Sequence, residues 1–381
     1  MAKRVSLILI FTVIAGVLFN GAILKAEVKN EDNPLKGNWD FKLRKLWEVD
    51  RAGDTIMAQI ADIQIDDDGR IYILESKQDK FFVFDQNGKF LYSFGNRGEG
   101  PGEYKLAFSF FLKGQYVIVP DQDRAHYFNK DGKYVKSYNY GTVVYPRAHL
   151  DEFRFLIVRD SSDEKIKLDK LEILDLNSMK YTAIADISAE KSMTASTGKM
   201  SLKFKDASTT PMVIIAEHNN EIYFGKNDRY FIKKVDTNGK ELLSFSISGR
   251  EQKKIPEKLK RERFENTRLN NQQMPKELID QMVKNMPDYC TYYNRIEIDK
   301  RGLVYIYLID FINKTVQEMD IFSPEGKYLF HADIQLPQGL KRVTPLSIKE
   351  NSLIVFAEDE DGEQKLVKFQ IETPTNYLYG S

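Results

Sequence analysis

Pairs of β-hairpins recur along this 381-residue chain and constrain its fold more than any other feature. Residues 60–75 read IADIQI, DDDG and RIYILE, so apolar and polar residues alternate on both sides of an acidic turn that contains glycine. Residues 81–94 repeat the pattern as FFVFD, QNG and KFLYSF. Alternation with period two on both sides of a tight turn predicts a β-hairpin, and two hairpins in succession predict a four-stranded antiparallel sheet.

Six units of this kind follow one another. In the first unit the two turns carry Gly69 and Gly88, and in the second they carry Gly114 and Gly132. The first turns of the four later units fall at Asp151-Glu152, Asn220, Gly302 and Glu350-Asn351. The first turns of neighbouring units lie 45 residues apart from Gly69 to Gly114, and 38 apart from Gly114 to Glu152. Such spacing, with four strands in each unit, indicates the blades of a β-propeller.

The number of strands predicts how the ring closes. The sixth unit offers only three strands, at 342–348, 352–356 and 364–371, whereas the strand Phe41–Asp50 precedes the first unit without a partner. If this N-terminal strand completes the last blade, no long sheet edge is left unpaired. We therefore predict an all-β fold, a six-bladed β-propeller over residues 39–371 with an N-terminal strand closing the last blade. A β-sandwich of similar strand number is the alternative, but it does not explain the four-strand repeat.

Residues 251–288 depart from the repeat and predict a short helical insert between blades four and five. Pro256 can open one helix, and Pro275 can open a second helix whose apolar side chains fall on one face. That face either packs on the propeller as a lid, over the channel mouth where the innermost strands begin, or binds a partner. A second excursion, 188–211, is rich in Ser, Thr, Lys and Ala, and we expect low order near its middle.

The sequence of the first blade resembles a known family. Residues 68–104, DGRIYILESKQDKFFVFDQNGKFLYSFGNRGEGPGEY, are similar to a blade of the NHL-type and TolB-like six-bladed β-propellers, especially the exported bacterial proteins among them. The likeness is close over blade one, fair over blades two, four and five, and poor over blade three. It implies the propeller fold. Members of these families include protein-binding, ligand-binding and enzymatic proteins, so the resemblance leaves the function open.

The first 26 residues have the pattern of a secretory signal peptide. Lys3 and Arg4 precede an uncharged apolar run, and small residues follow it up to Ala26, so we predict cleavage between Ala26 and Glu27. The alternative is an uncleaved anchor, because the apolar run at 5–24 is long enough to span a bilayer. In both cases the body is exported, to the periplasm or the extracellular space. The predicted segments are the signal peptide at 1–26, a linker at 27–38, the propeller at 39–371 and a C-terminal tail at 372–381.

Composition excludes several functional classes. The chain has 56 basic and 56 acidic side chains, so it lacks the positive field of a general nucleic-acid binder, and its single cysteine, Cys290, excludes an intramolecular disulfide. Of the four histidines, only His149 and His218 come near the ends of innermost strands, so we expect no zinc site and no other cofactor. A site for a divalent cation such as calcium, held by channel carboxylates, is not excluded by the sequence. We expect a monomer without membrane insertion beyond the signal segment.

Three arginines mark the candidate binding site. The innermost strands begin near 59, 108, 145, 212, 293 and 342, and residues at these starts should converge around one mouth of the channel. Arg147, Arg295 and Arg342 lie there, and arginines that converge without matching acids favour an anionic ligand. The polar or stacking residues expected beside them are Gln59, Tyr145, Tyr292 and Asn294. The alternative is that each arginine pairs with a nearby acid, for which the candidates are Asp62, Asp151 and Glu297.

Together these features predict an exported binding or scaffold module for a protein, peptide or glycan, and they favour a role without catalysis. The alternative is a metal-dependent hydrolase or lyase with its site at the central channel. The resemblance suggests this alternative, because enzymatic relatives such as lactonases use Glu, Asn and Asp side chains, or three histidines, around that channel. No Ser-His-Asp or Cys-His arrangement follows from the spacing of residues.

Overall fold

The computed structural model contains six antiparallel sheets, arranged as the blades of a β-propeller, and two short helices. The structure describes residues 27–121, 123–140, 144, 146–159, 168–188, 193–197, 200–204, 206–265, 268–269, 272–310, 315–342, 346–349 and 351–372. The predicted signal peptide lies outside these residues, as does the predicted tail beyond its first residue. Within the described part of the chain, no helix is both long enough and apolar enough to cross a membrane.

Each of the first three blades has four strands, which follow one another from the channel outward. In blade one they are Ile60–Ile65, Ile71–Glu75, Lys80–Phe84 and Phe90–Phe94. In blade two they are Phe111–Lys113, Tyr116–Pro120, Arg124–Asn129 and Tyr134–Asn139. In blade three they are Pro146–His149, Arg154–Arg159, Leu168–Asp175 and Lys180–Ser188.

The last three blades repeat this order and also use the N-terminal part of the chain. In blade four the strands are Val213–His218, Glu221–Lys226, Phe231–Asp236 and Glu241–Ile247. In blade five they are Tyr293–Ile298, Val304–Leu308, Val316–Phe322 and Tyr328–Gln335. In blade six they are Ser347–Lys349 with Lys341–Arg342, then Ser352–Glu358, Gln364–Glu372 and Lys42–Val49.

The ring closes as the sequence predicts. Lys42–Val49 is the outermost strand of blade six and pairs antiparallel with Gln364–Glu372. The innermost position of the same blade is shared by two short strands, Lys341–Arg342 and Ser347–Lys349, which both pair with Ser352–Glu358. One sheet therefore holds both ends of the propeller, and the edge of Gln364–Glu372 is covered.

The segment before the closing strand is structured, which corrects the prediction of a linker at 27–38. Val28–Asn30 pairs in parallel with the outermost strand of blade four, and Asn38–Asp40 pairs in parallel with that of blade five. The Asn30 amide donates to main-chain carbonyls of both blades, at 3.0 and 2.9 Å. We call residues 27–40 the N-terminal strap. Its strands carry three residues each, which is too short for a period-two pattern to show in the sequence.

The turn glycines recur because neighbouring blades pack closely over them. Gly88 has a φ of 83°, and a Cβ atom at this position would come within 2.8 Å of the indole of Trp47 in blade six. Gly132 has a φ of 78°, and its Cβ would come within 2.8 Å of the Phe94 side chain in blade one. Only glycine supplies both this conformation and this space. The glycines at the second turns of blades one, two, four and five therefore report the packing of each of these blades on the one before it.

In each blade a polar side chain at the end of one strand fixes the turn that follows it. Asp85 accepts hydrogen bonds from the main-chain N–H groups of Asn87 and Lys89, at 2.8 and 2.9 Å. The residues that do the same at the ends of the third strands of blades two to five are Asn129, Asp175, Asp236 and Ser323. In blade six Asp359 does so after the second strand, Ser352–Glu358. Because such side chains replace missing main-chain partners in a tight turn, the acidic or Asn residue before each glycine belongs to the fold and not to a binding site.

The two excursions from the repeat form one small layer, which we call the cap. Helix α1, Glu257–Glu265, and helix α2, Lys276–Asn285, come from the predicted helical insert. The other excursion contributes a hairpin, Met193–Thr197 with Met200–Phe204, which corrects the expectation of low order there. The apolar face of α2 packs against this hairpin in a core that includes Cys290. The hairpin is ordered because the helix covers its apolar side chains.

Candidate ligand-binding site

A cavity of about 400 Å³ opens inside the ring, and its size is within the usual range for small-molecule sites. Its walls come from the innermost strands of blades one, four, five and six and from the second strand of blade five. Charged groups, hydroxyl groups and apolar side chains alternate around it.

The cavity lies toward the ends at which the innermost strands finish. Blade one contributes Gln64 and Ile65, the last two residues of its innermost strand, and blade four contributes Ala216 and Glu217. The two excursions that form the cap leave the ring at the opposite ends, where the innermost strands of blades four and five begin. The residues found to line this cavity include none from the cap, so the cap is not a lid over it. The sequence shows where a strand begins, but the space between strands depends on how the blades pack.

Arg295 and Glu297 form the charged centre of the wall. They alternate along the innermost strand of blade five, so their side chains lie on the same face. The Arg295 guanidinium pairs with the Glu297 carboxylate, donates to the carbonyl of Leu346 and lies 5.3 Å from the ring centroid of Tyr307. The Tyr307 hydroxyl donates to the other oxygen of Glu297. We call Arg295, Glu297 and Tyr307 the Arg295 cluster.

Burial and pairing compete at this cluster. Burial, the largest influence on the pKa of Arg295, works against its charge, but Glu297, Tyr307 and Asp62 together outweigh it and raise that pKa. Burial raises the pKa of Tyr307 well above its ordinary value, so the phenol stays protonated. Burial also raises the pKa of Asp62 more than the nearby charge of Arg295 lowers it. The wall therefore presents the Arg295–Glu297 ion pair beside the neutral phenol of Tyr307.

Other charged side chains of the cavity are paired within the protein as well. Glu217 lies 3.6 Å from the ammonium group of Lys113, which reaches it from blade two. Lys349 donates to the carbonyl of Ile65 at 2.9 Å and pairs with Asp67 at 3.0 Å. These contacts fasten blade two to blade four and blade six to blade one. They also neutralise the charges that a ligand would meet.

The structure places one of the seven predicted site residues, Arg295, in the cavity wall. Its pairing with Glu297 is one of the private pairs that the sequence left open. Gln59 is exposed just before the innermost strand of blade one, where its main-chain N–H donates to Glu75 at 2.9 Å. Asn294 is exposed at an irregularity in the innermost strand of blade five. Ligand binding by these residues stays a prediction.

Of the other four predicted residues, the structure describes the side chains of Tyr292 and Arg147, and neither is among the residues that line the cavity. Tyr292 packs edge-on against Tyr230, with 5.8 Å between the ring centroids. Arg147 is half-buried at an irregularity in the innermost strand of blade three. Tyr145 lies outside the described residues, and for Arg342 only the main chain is described, as part of blade six. The expected meeting of three arginines is therefore not seen among the described side chains.

Tyr307 is the member of the Arg295 cluster that sequence reasoning missed. Residues 293–298 read YNRIEI and residues 304–308 read VYIYL, so each strand alternates polar or aromatic side chains with aliphatic ones. This alternation is a usable signal that Arg295 and Glu297 share one face of their strand, and that Tyr305 and Tyr307 share one face of the next strand. Only the pairing register sets Arg295 opposite Tyr307, and that register shifts between Tyr293 and Arg295.

His149 and His218 have ordinary packing roles. Burial lowers the pKa of His149 to about 4, and its ring lies edge-on to Phe111, with 4.8 Å between the centroids. A ring nitrogen of His218 lies 2.9 Å from the side-chain amide of Asn219. In the part of the chain that the structure describes, no group of three His, Cys, Asp or Glu side chains could hold a metal ion.

A second arginine–carboxylate cluster lies outside the cavity, between blades four and five. Asp320 is fully buried and accepts hydrogen bonds from both arms of Arg250, at 2.8 and 3.3 Å. The hydroxyls of Tyr230 and Tyr328 donate to it at 2.7 and 2.6 Å, and a ring nitrogen of His331 lies 2.9 Å away. Burial opposes the charge, yet these partners hold the pKa of Asp320 below its ordinary value. We call these five residues the Asp320 cluster.

Comparison with known proteins agrees with this architecture. The family model DUF5128, described as a 6-bladed beta-propeller, matches residues 52–330. The chain belongs to the DUF5128 family. The NHL and TolB names remain resemblances, and a search of curated proteins finds no match to this DUF5128 propeller.

Two crystal structures resemble the DUF5128 propeller in fold. One is a protein from Bacteroides fragilis NCTC 9343 described as a "putative exported protein". It is 15% identical, the match covers 91% of this chain and 99% of that one, and the TM-score is 0.55. The other is a member of the duf4221 family from Bacteroides vulgatus ATCC 8482. It is 12% identical, with coverage of 88% and 99% and a TM-score of 0.55. At these identities the likeness shows the fold alone.

Proposed function

We propose that this DUF5128 propeller is an exported binding module that takes a small ligand in the cavity inside its ring. The observation that carries the proposal is the Arg295 cluster, an ion pair and a phenol that stand open to a cavity of about 400 Å³. Removing charges from water is costly, and a ligand that hydrogen-bonds to them restores part of what is lost. A cavity with a few convergent polar groups among apolar walls is typical of ligand sites.

Two observations support export. The N-terminal 26 residues have the charge and hydropathy pattern of a signal peptide, and one protein of similar fold is described as a "putative exported protein". A chain that begins at Glu27 would keep the whole strap, in which the Glu27 carboxylate accepts a hydrogen bond from Ser246.

N-terminal sequencing of the protein from its host tests export. Recovery of a chain that begins at Glu27 from the periplasm or the medium is the expected result. A chain that still begins at Met1 and is found in the membrane fraction would show that the segment is an uncleaved anchor. An intact Met1 in the cytoplasm would overturn export.

A ligand screen with a matched pair of variants tests binding. Arg295→Ala removes the guanidinium from the cavity wall. Arg159→Ala is the control, because Arg159 also pairs with a glutamate, Glu172 at 2.6 Å, and lies 4.7 Å from the ring centroid of Tyr181, on blade three and away from the cavity. We expect a small molecule that raises the melting temperature of the native chain and of Arg159→Ala, but not that of Arg295→Ala.

Two results would count against the binding module. The first is a broad screen of saccharides, peptides, nucleosides and organic acids without any binding. The second is binding that Arg295→Ala leaves unchanged, because the ligand would then occupy another surface of the propeller.

A further inference from the structure

Resting on the proposed function, we infer that the cavity binds a neutral saccharide, a ligand dense in hydroxyl groups and without net charge. The charges of the wall, its hydrogen-bonding groups and its apolar side chains each favour this class.

The formal charges of the wall cancel. The described side chains that line the cavity include three acids and three bases, namely Glu217, Glu297, Asp299, Arg295, Lys300 and Lys349. Five of the six pair with side chains of the protein itself: Arg295 pairs with Glu297, Lys113 lies 3.6 Å from Glu217, Lys349 lies 3.0 Å from Asp67, and Arg301 lies 2.6 Å from Asp299. A charged ligand would lose hydration here and meet counter-charges that are already paired, so it would gain little in return.

The same groups keep hydrogen-bonding capacity. A carboxylate has about four acceptor positions, and Glu297 uses one oxygen for Arg295 and the other for Tyr307. The Tyr307 hydroxyl donates to Glu297 and can still accept a hydrogen bond. A hydroxyl group on the ligand can donate to the carboxylate and accept from a neighbouring N–H. Adjacent hydroxyls on a sugar ring fit such a wall, because each one is both donor and acceptor.

The apolar part of the wall suits the carbon face of a sugar. Ile65, Ile298 and Ile348 are half-buried and line the cavity between the charged groups. The side chain of Tyr305 also lines it. A sugar ring has polar edges and apolar faces, so it can satisfy both kinds of wall at once. The cavity volume of about 400 Å³ accommodates one or two sugar rings.

The test is a titration of the mature chain with matched saccharides. A panel of neutral di- and trisaccharides is screened first, and each one that binds is compared by calorimetry with its uronic-acid counterpart, in which one CH₂OH is a carboxylate. Capped and free dipeptides are titrated in parallel. We expect a neutral saccharide to bind at least tenfold more tightly than its uronic-acid counterpart, and its dissociation constant to change less than twofold between 50 and 500 mM salt.

Two variants and a control place the saccharide in the cavity. Tyr307→Phe removes one hydroxyl, and Glu297→Gln removes the carboxylate charge without changing its size. We expect each to weaken saccharide binding about tenfold, whereas Arg159→Ala leaves it unchanged. Unaltered melting of Tyr307→Phe would show that the loss is not a folding defect.

The outcomes separate the ligand class from the binding module itself. Tighter binding of the uronic acid, or binding of a dipeptide that depends on Tyr307, would show that the ligand is not a neutral saccharide. The proposal that the propeller is a binding module would be unaffected. If no saccharide in the panel binds, the inference of a saccharide ligand is also wrong. If a saccharide binds both cavity variants as tightly as it binds the native chain, the cavity is not its binding site.

Discussion

The Asp320 cluster and the Arg295 cluster have similar chemistry in different surroundings. In each, an arginine pairs with a carboxylate that also accepts a hydrogen bond from a tyrosine hydroxyl. The Asp320 side chain is 0% exposed, whereas the side chains of Arg295 and Glu297 are 30% and 26% exposed, facing the cavity. In the first cluster protein groups surround the carboxylate on all sides, and the Arg250 side chain is 15% exposed. In the second the wall is open on one side.

This difference separates a structural joint from a binding site. The groups around Asp320 come from blades four and five and from the start of the helical insert, and the strap adds Asp32, which pairs with Arg250. The cluster therefore holds together parts of the chain that are distant in sequence. Perturbed pKa values occur in both clusters, so a shifted pKa alone does not indicate function. The adjoining space is what distinguishes them.

The largest expected loss of stability comes from removing the N-terminal part of the chain. This part closes blade six and borders the Asp320 cluster. A chain that begins at Gly53 lacks both Lys42–Val49 and the strap. It exposes the full edge of Gln364–Glu372, so we expect aggregation, or melting far below that of a chain that begins at Glu27. Thermal melting and size-exclusion chromatography measure both outcomes.

A chain that begins at Phe41 is the control for this truncation. It keeps the closing strand and loses only the strap, so we expect it to stay monomeric and to melt between the other two chains. If the chain that begins at Gly53 melts with the one that begins at Glu27 and remains monomeric, the closing role of Lys42–Val49 is wrong.

The second largest effect should come from Asp320→Asn. This change keeps the size of the side chain but leaves the half-buried Arg250 with Asp32 as its carboxylate partner. Breaking a buried pair costs about 3–5 kcal/mol. Urea unfolding should show a fall of that size in the free energy of unfolding. Ligand binding in the cavity should be unchanged. A loss below about 1 kcal/mol would mean that the Asp320 cluster is not a structural joint.

A smaller effect on stability is expected from Glu297→Gln, in the half-open cluster. Because water and the cavity reach both partners, the cost should be about 1 kcal/mol or less. The same variant should nevertheless lose most of its ligand binding. The comparison would fail if Glu297→Gln destabilised the fold as much as Asp320→Asn does, because the two clusters would then share one structural role.

The smallest effect is a dependence of stability on pH through His331. Its hydrogen bond to Asp320 raises its pKa above the usual 6.5, although burial opposes this and Arg250 lowers it, while Asp333 adds a further negative charge. The stabilisation is therefore fully present below about pH 6.5 and is lost as the pH rises through the pKa of the folded state. Asp320 stays ionised over this range, because its pKa is below the ordinary value.

Urea unfolding of the native chain and of His331→Gln at pH 6 and pH 8.5 measures this effect. We expect the native chain to be more stable than the variant at pH 6, and the difference to shrink at pH 8.5. A difference that is equal at both pH values would show that His331 contributes by packing and not by its charge.

Blade one shows how far the sequence could be read. Its hairpins follow from alternation, and its turns follow from Asp85 and Gly88, since local hydrogen bonds and a positive φ restrict these positions to a few residue types. The strap and the hairpin of the cap could not be read in the same way. Val28–Asn30 is ordered only because blade four offers it an edge, and Met193–Thr197 is ordered because α2 covers it. Neither partner is near in sequence.

The candidate site divides in the same manner. Arg295 stood out in the sequence as an arginine on an innermost strand, and Glu297 as its nearest acid. Tyr307 joined them only through the pairing register of two strands. The prediction of an anionic ligand depended on three arginines meeting, and the distance between blades is not encoded in the spacing of residues along any one blade.

The sequence by itself determined the six blades, the closing strand and the two helices, because each depends on local periodicity, on turn residues or on a count of strands. The tertiary structure alone decided which end of the channel holds the cavity, that the charges of its wall are paired, and that the strap and the cap are ordered. These features depend on contacts between residues far apart in the chain, such as Lys113 with Glu217 and Lys349 with Asp67. Such contacts form only when the blades have packed around one axis, and no short stretch of sequence records them.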